Sequence, residues 1–255
     1  MHTLAQNARA AGSRFLGVRK GNVVYHAIKR SILLREARPG TLLLEQHIAT
    51  EYGCSQGTVR EALLRLEQDG LVTRRGYRGT VVSDTTLEEA ARMAIIRIEL
   101  EMAGARRAAL GLPDEDIAEL TEAIEQMEEA SRAGDPYLCS ELDRAFHLRI
   151  FQAAGMPALE PILMRCALHM HRYTFGNADK CSQHETPVAA QHAAILRALQ
   201  AGDAEAAAAA VRDHIEAVID LWAPTLRRAI EASATGRHDG AEPSPDPAAQ
   251  MPGRL

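Results

Sequence analysis

Apolar residues recur at helical spacing along most of this chain, and the breaks between the runs sort it into two textures. In 22–36 (NVVYHAIKRSILLRE), Val24, Ile28, Ile32 and Leu33 share one face, which predicts a helix. ARPG at 37–40 stops it. TLLL at 41–44 predicts a short strand, and EQHIATEY at 45–52 a short helix ended by Gly53. Ser55 is a good N-cap for a helix over about 56–69, in which Val59, Leu63, Leu64 and Leu66 are apolar and Asp69-Gly70 is the stop. LVTRR, GYRG and TVVS then read as a two-stranded hairpin with a glycine-rich tip.

After Ser83 the pattern changes to long helices, with limits near 86–110, 114–133, 135–154, 158–176, 185–201 and 203–232. Breaks fall at Gly111-Leu112-Pro113, Gly134-Asp135-Pro136, Gly155-Met156-Pro157 and Ala201-Gly202-Asp203, and GNADKCSQHETP is the longest loop. The expected fold is mainly α: an N-terminal winged helix-turn-helix with a small β-hairpin wing, then an antiparallel all-helical bundle of six or seven helices. The expected division is a flexible arm at 1–16, a winged domain at 17–84, a helical domain at 85–232 and a tail at 233–255. That tail is rich in Pro, Gly, Ser and Ala, with almost no bulky apolar residues, so disorder is expected there. The run AEAAAAAV at 204–211 fits a helix packed closely against a neighbour.

Composition sharpens this picture. Aromatics are only 4% while Ala, Leu and Glu abound, which favours helix. No run of ~18 apolar residues predicts a membrane span, and residues 1–16 do not read as a secretory signal. Cys54, Cys139, Cys166 and Cys181 are scattered without a C-x-x-C pair, which suits a reducing cytoplasm and argues against a cysteine zinc site or a disulfide scaffold. The net charge of −5 is unevenly spread: residues 17–84 carry +4 and residues 85–232 carry −10. A basic first third can face phosphates while an acidic remainder stays clear of them.

The turn Tyr52-Gly53-Cys54 is short enough to set two helices at a steep angle, so the second can enter the major groove with its N-terminal residues at base edges. Those residues are Ser55, Gln56, Gly57 and Thr58, with Arg60 one turn in. Gln pairs bidentately with adenine and Arg with guanine. Arg74, Arg75, Tyr77, Arg78 and Gly79 form a cationic hairpin tip suited to phosphates or the minor groove. A bland alternative for Arg60 is a salt bridge with an acid such as Glu67.

In the acidic half, Asp143 and His147 stand at i and i+4, on a face that continues through Ile150 and Ala154. His192 shares a face with Ile195, Leu196 and Leu199, and His214 with Val211, Val218 and Leu221. Three imidazoles and a carboxylate thus point inward from three helices. One such His is usually a satisfied core residue; four groups together make an ordinary ligand set for zinc, nickel, manganese or another divalent transition metal. His169, His171 and His184 read as surface or helix-end residues.

Residues 22–83 resemble the N-terminal domain of the GntR family, through PGTLLLEQHIATEYGCSQGTVREALLRLEQDGLV and RRGYRGTVV. The resemblance implies operator DNA as partner. It also implies a DNA-contact role at Gln46 and Gln56, where the family often has Arg, so the preferred half-site is expected to differ. Residues 86–232 resemble the ligand-sensing domain of the FadR subfamily, through RIELEMAGARRAA, LDRAFHLRIF and QHAAILRALQAGDAEAAAAAVRDHI. That resemblance implies a metal held by Asp143, His147, His192 and His214. It also places the family's R-x-x-L-E arginine at Arg97, a candidate for gripping an effector carboxylate, or for an ion pair with Glu101; Arg149 and Arg172 are further candidates.

Together these readings predict a cytoplasmic, homodimeric, effector-controlled transcription regulator, a repressor by family habit. A small carboxylate-bearing metabolite would bind near the metal. The alternative is a metal-dependent enzyme fused to a DNA-binding module; no second carboxylate or His stands as a general base, and no H-E-x-x-H signature is present.

Overall fold

The chain folds along the predicted run of elements in a computed structural model that describes residues 20–76, 79–177 and 188–234. The expected N-terminal arm, Tyr77 and Arg78 of the hairpin tip, His184, and the tail beyond Ala234 lie outside the described residues. Helix α1 (Lys20–Leu33) buries the expected stripe of Val24, Ile28, Ile32 and Leu33. It is followed by β1 (Leu42–Leu43), α2 (Glu45–Tyr52) and α3 (Gln56–Gln68). Gly53 sits between α2 and α3 at φ 58°, a left-handed conformation that costs glycine little. Ser55 caps α3 by accepting from the Thr58 amide. Strands β2 (Val72–Arg74) and β3 (Thr80–Val82) form the wing.

The sheet has three strands rather than two. β1 joins the hairpin, giving the antiparallel order β1-β3-β2, with Leu42 opposite Val81 and Val72 opposite Val82. The core beneath it is Val24, Ile28, Leu33, Val59, Leu63, Leu66, Leu71 and Val82. One further member, Leu168, comes from the helical half.

That half comprises α4 (Leu87–Ala108), α5 (Asp114–Arg132), α6 (Pro136–Ala153), α7 (Glu160–Asn177), α8 (Val188–Gln200), α9 (Ala204–Trp222) and α10 (Pro224–Ala234). A capping box between Thr86 and Glu89 fixes the start of α4. α4 is the central element and packs against α6, α7, α9 and α10. Small residues allow this: Ala90, Ala91, Ala94 and Ala105 on α4, and Ala207 and Ala208 on α9, are fully buried. At Gly104 the close approach is tighter still, since a Cβ there would lie 2.6 Å from Cδ2 of Phe151. The single helix expected over 203–232 is divided, because Pro224 cannot continue α9 and Ala223 adopts φ −150°, so the chain restarts as α10. Among the described residues no helix is long and apolar enough to cross a membrane.

The two halves touch along α7. Arg172 donates to both the carbonyl and the hydroxyl oxygen of Ser83, and His169 lies between the Asp69 carbonyl (2.9 Å) and the Thr85 hydroxyl (3.0 Å). Arg165 donates to the Gln68 carbonyl. Every residue from Cys166 to Arg172 is buried.

Candidate DNA-binding face and metal centre

On the winged domain, Gln46, Ser55, Gln56, Gly57, Arg60, Arg74 and Arg75 are exposed, while Thr58 is half-buried and shares a hydrogen bond with Ser55 (2.9 Å). Gly76 and Gly79 take positive φ at the hairpin tip, and the Arg75 amide donates to the Gly79 carbonyl at 2.8 Å. The ion pair of Arg60 is with Glu45, not Glu67: two nitrogens of the guanidinium meet the two carboxylate oxygens at 3.2 and 2.7 Å. Glu67 instead takes Arg74, at 3.6 Å. Both pairs are solvated and screened, so neither withholds its arginine from a nucleic acid.

In the helical half the structure brings Asp143, His147, His192 and His214 together, with one ligand atom from each lying within 4.8 Å of all the others. All four are buried. Local geometry sets this up. Asp135 caps α6 by accepting from the Leu138 amide, and one turn separates Asp143 from His147 on the inward face. The Gly202 turn and the Asp203 cap reverse the chain between α8 and α9, so His192 and His214 face each other.

The four groups centre on one oxygen. Asp143 Oδ1 lies 3.2 Å from Nε2 of His192, 3.2 Å from Nε2 of His214 and 3.7 Å from Nε2 of His147. The second nitrogen of two rings is occupied. His147 Nδ1 faces Glu101 Oε2, and His214 Nδ1 lies 3.0 Å from Gln191 Oε1. In the tautomers whose hydrogen sits on Nδ1, facing those oxygens, the Nε2 lone pairs point into the cluster. His147 Nε2 is buried and has no hydrogen-bond partner. The His214 Nε2 lone pair facing Asp143 Oδ1 is an unfavourable approach that a cation between them reverses. The donor set, N₃O with outer acceptors on the far ring nitrogens, fits a divalent transition metal.

The other Asp143 oxygen is held differently. Oδ2 lies 3.2 Å from Arg97 Nη2 and 3.1 Å from His171 Nε2. Arg97 also donates through Nε to Glu101 Oε1 at 2.6 Å and is only 1% exposed. Thus the ion pair of Arg97 with Glu101 is present, and the same guanidinium borders the cluster. Burial pushes both carboxyls up, but charges around them more than offset it. Arg97 and His147 take Glu101 down to about 2, and His147, His171 and His192 hold Asp143 well below the usual carboxylate range. Burial drives His171 down to about 4, against the pull of Asp143, and burial with His192 drives His214 down to about 3. These two imidazoles are therefore neutral near pH 7, and a neutral ring is the one that can coordinate.

Arg149 and Arg172 do not join the cluster. Arg149 is engaged by Asp116 (2.5 Å) and Glu119 (2.8 Å) of α5, and Arg172 by Ser83 at the domain junction. His169 and His171 are not surface residues: they are 4% and 5% exposed, because α7 is covered by both halves of the chain. His171, Glu101, Gln191 and Arg144 are the site neighbours that sequence reasoning left out or used only as a pairing partner. For His171 one signal existed, since Ala167, Leu168 and Phe175 stand at i−4, i−3 and i+4.

Comparison with known proteins agrees with both halves. The description "Bacterial regulatory proteins, gntR family" matches residues 20–82, and "FCD domain" matches residues 92–217. An HTH-type transcriptional regulator in an unstable DNA locus of Streptomyces ambofaciens is 30% identical over 207 residues, covering 77% of this chain and 82% of that one. The HTH-type transcriptional repressor RspR of Escherichia coli K12 is 27% identical over 195 residues, covering 76% and 85%. Among solved structures, a GntR transcriptional regulator from Rhodococcus sp. RHA1 superposes with a TM-score of 0.61 at 26% identity, covering 83% of this chain and 98% of that one. E. coli McbR/YncC shares the fold with a TM-score of 0.67 at 24% identity, covering 83% and 99%. The chain therefore belongs to the gntR family of bacterial regulatory proteins, as a DNA-binding transcriptional regulator, not an enzyme, whose helical half is an FCD domain.

Proposed function

We propose that this regulator binds its operator as a homodimer, in the manner of a repressor such as the relative RspR, and that a small organic acid bound beside a metal in the helical domain controls its DNA affinity. In this reading residues 17–84 read DNA and residues 85–232 sense the effector. Gln46, Ser55, Gln56, Thr58 and Arg60 meet base edges, and Arg74, Arg75, Tyr77, Arg78 and Gly79 meet the backbone or minor groove.

The observation that carries the metal is the buried convergence of Asp143, His147, His192 and His214, with His147 Nε2 left without a partner. Zinc, nickel or manganese there would supply a Lewis acid with open positions for an effector carboxylate. Glu101 and Gln191 orient the imidazoles of His147 and His214. Arg97 offers a buried cation on the same side, so a carboxylate would be gripped from two directions. The gap between Glu101, His147, Ile150, Phe151 and Val211 beside the cluster is too small for a water molecule, so an effector there would have to displace side chains.

The test is elemental analysis of protein purified without chelator, followed by a thermal-shift screen of organic acids on loaded and stripped protein. About one divalent ion per chain is expected in the wild type, and far less in His192→Ala. Acids that raise the melting temperature should do so only in loaded protein, and should change affinity for DNA upstream of the gene. No metal, and no rebinding of zinc, nickel or manganese, would overturn the reading and leave the four residues as a polar core network.

A further inference from the structure

The Asp143 cluster is not isolated within the bundle. From Asp143 Oδ2 a continuous line of buried or half-buried polar contacts leaves the cluster and ends in the winged domain. His171 Nε2 lies 3.1 Å from Asp143 Oδ2. His171 Nδ1 lies 2.7 Å from Nη1 of Arg144. Arg144 is only 2% exposed and donates its other nitrogen, Nη2, to Glu141 Oε1. Both oxygens of Glu141 lie 3.1 Å from Nζ of Lys29, on α1.

We propose that this line, Asp143–His171–Arg144–Glu141–Lys29, is the route by which occupancy of the cluster is felt by the DNA-binding domain. The proposal rests on the reading that the cluster takes a metal. Three features support a defined route. The first is its direction. A guanidinium can only donate, and each ring nitrogen of His171 faces one, Arg144 Nη1 at 2.7 Å from Nδ1 and Arg97 Nη1 at 3.3 Å from Nε2; the shorter contact makes Nδ1 the acceptor, and Nε2–H then donates to Asp143 Oδ2 at 3.1 Å. Each link therefore depends on the charge of the one before it. When a cation shares the Asp143 carboxylate, less charge remains on Oδ2 for His171, whose hold on Arg144 changes in turn.

The second feature is burial. Lys29 is 7% exposed, so its pair with Glu141 is little screened by solvent and couples the helix that carries it to α6. The neighbouring interdomain pair, Arg30 with Asp135 at 2.9 Å, has both side chains about one-third exposed, and is screened accordingly. The third feature is where the line ends. α1 packs directly against the recognition helix α3, through Ile28 and Leu33 on one side and Val59, Leu63 and Leu66 on the other. A shift of Lys29 is thus a shift of the helix on which the DNA-reading helix is seated.

The test is hydrogen–deuterium exchange on the full chain, with zinc chloride and with chelator, metal content being followed by elemental analysis. In the wild type, exchange in residues 20–33 and 56–68 should differ by about 5-fold or more between the two conditions. Lys29→Met keeps the aliphatic stem; it should bind zinc as the wild type does while that difference falls below about 2-fold. Glu141→Gln is the second variant, in case Lys29→Met folds poorly, and should behave alike. Arg30→Met cuts the exposed pair and should keep the wild-type response. Retention of the response in both Lys29→Met and Glu141→Gln would overturn the proposal. So would an equal loss in Arg30→Met, which would assign the effect to docking in general, or a wild type that binds zinc with no response in the winged domain. A wild type that binds no metal would overturn the metal reading itself, and this inference with it.

Discussion

Replacing Arg97 by methionine tests the ion pairs of the cluster, because the side chain keeps most of its aliphatic length and loses the guanidinium, its charge together with its N–H donors. Arg97 is 1% exposed and pairs with Glu101 at 2.6 Å and with Asp143 at 3.2 Å. Among the described residues it is the one arginine or lysine side chain that pairs with either carboxylate, and it pairs with both. Arg97→Met therefore removes the guanidinium that two buried carboxylates share. Breaking a buried ion pair by removing one partner costs about 3–5 kcal/mol. In a chain of this size each kcal/mol lowers the melting temperature by about 2–4 °C, so a fall of about 6–20 °C is expected in chelator. A divalent ion supplies the missing charge, so with zinc most of that fall should disappear. The assay is thermal unfolding by circular dichroism, wild type against variant, with EDTA and with zinc chloride. A fall of less than about 2 °C in EDTA, or the same fall with and without zinc, would refute the charge balance assigned here.

Three further outcomes follow from other parts of the molecule. The metal-free protein should lose stability as pH falls from 6.5 toward 4: His171 and His214 are depressed in the folded state to about 4 and about 3, the unfolded chain binds protons first, and each group contributes up to ~1.4 kcal/mol per pH unit. Urea midpoints across that range check the sign, and a flat or rising profile would contradict it. Gly104→Ala should destabilise by about 1–3 kcal/mol, since its Cβ would meet Phe151 Cδ2 at 2.6 Å in a packed core; an unchanged urea midpoint would mean that Phe151 yields. Arg60→Ala should weaken binding to a cognate operator by ~1–3 kcal/mol without changing the fold, as measured by fluorescence anisotropy; equal binding would remove Arg60 from the recognition surface.

The four candidate ligands were legible because each lies on an amphipathic helix, where the apolar stripe fixes which way a polar residue points. Asp143 and His147 ride with Ile150, His192 with Ile195 and Leu199, and His214 with Val211, and all of these are buried. The winged domain was legible for a similar reason, its turns being marked by Gly53, Ser55 and Gly70. The break at Pro224 was available and went unused, because the periodicity on both sides of it is strong enough to suggest one helix. The short strand at 41–44 was legible too, but its pairing with β3 is a long-range event that no local pattern records.

The partners of His171 were illegible for a different reason, and that reason bears on function. From Cys166 to Arg172 the α7 helix is buried on all sides, two turns with no solvent face. On such a helix the apolar residues at i−4, i−3 and i+4 of His171 mark it as buried, but helical phase cannot say against which neighbour. What remains is a chemical argument. A charged or polar residue on a helix without a solvent face must find its partner inside the protein. His169 and Arg172 find theirs at the junction, at Asp69 and Ser83 of the winged domain and Thr85 just beyond it, whereas His171 finds its partners at Asp143 and Arg144. One helix thus presents polar groups to the junction and to the candidate metal centre within three residues. Those groups were hard to place because they serve contacts between the two halves, and neither half's own hydrophobic pattern contains that information.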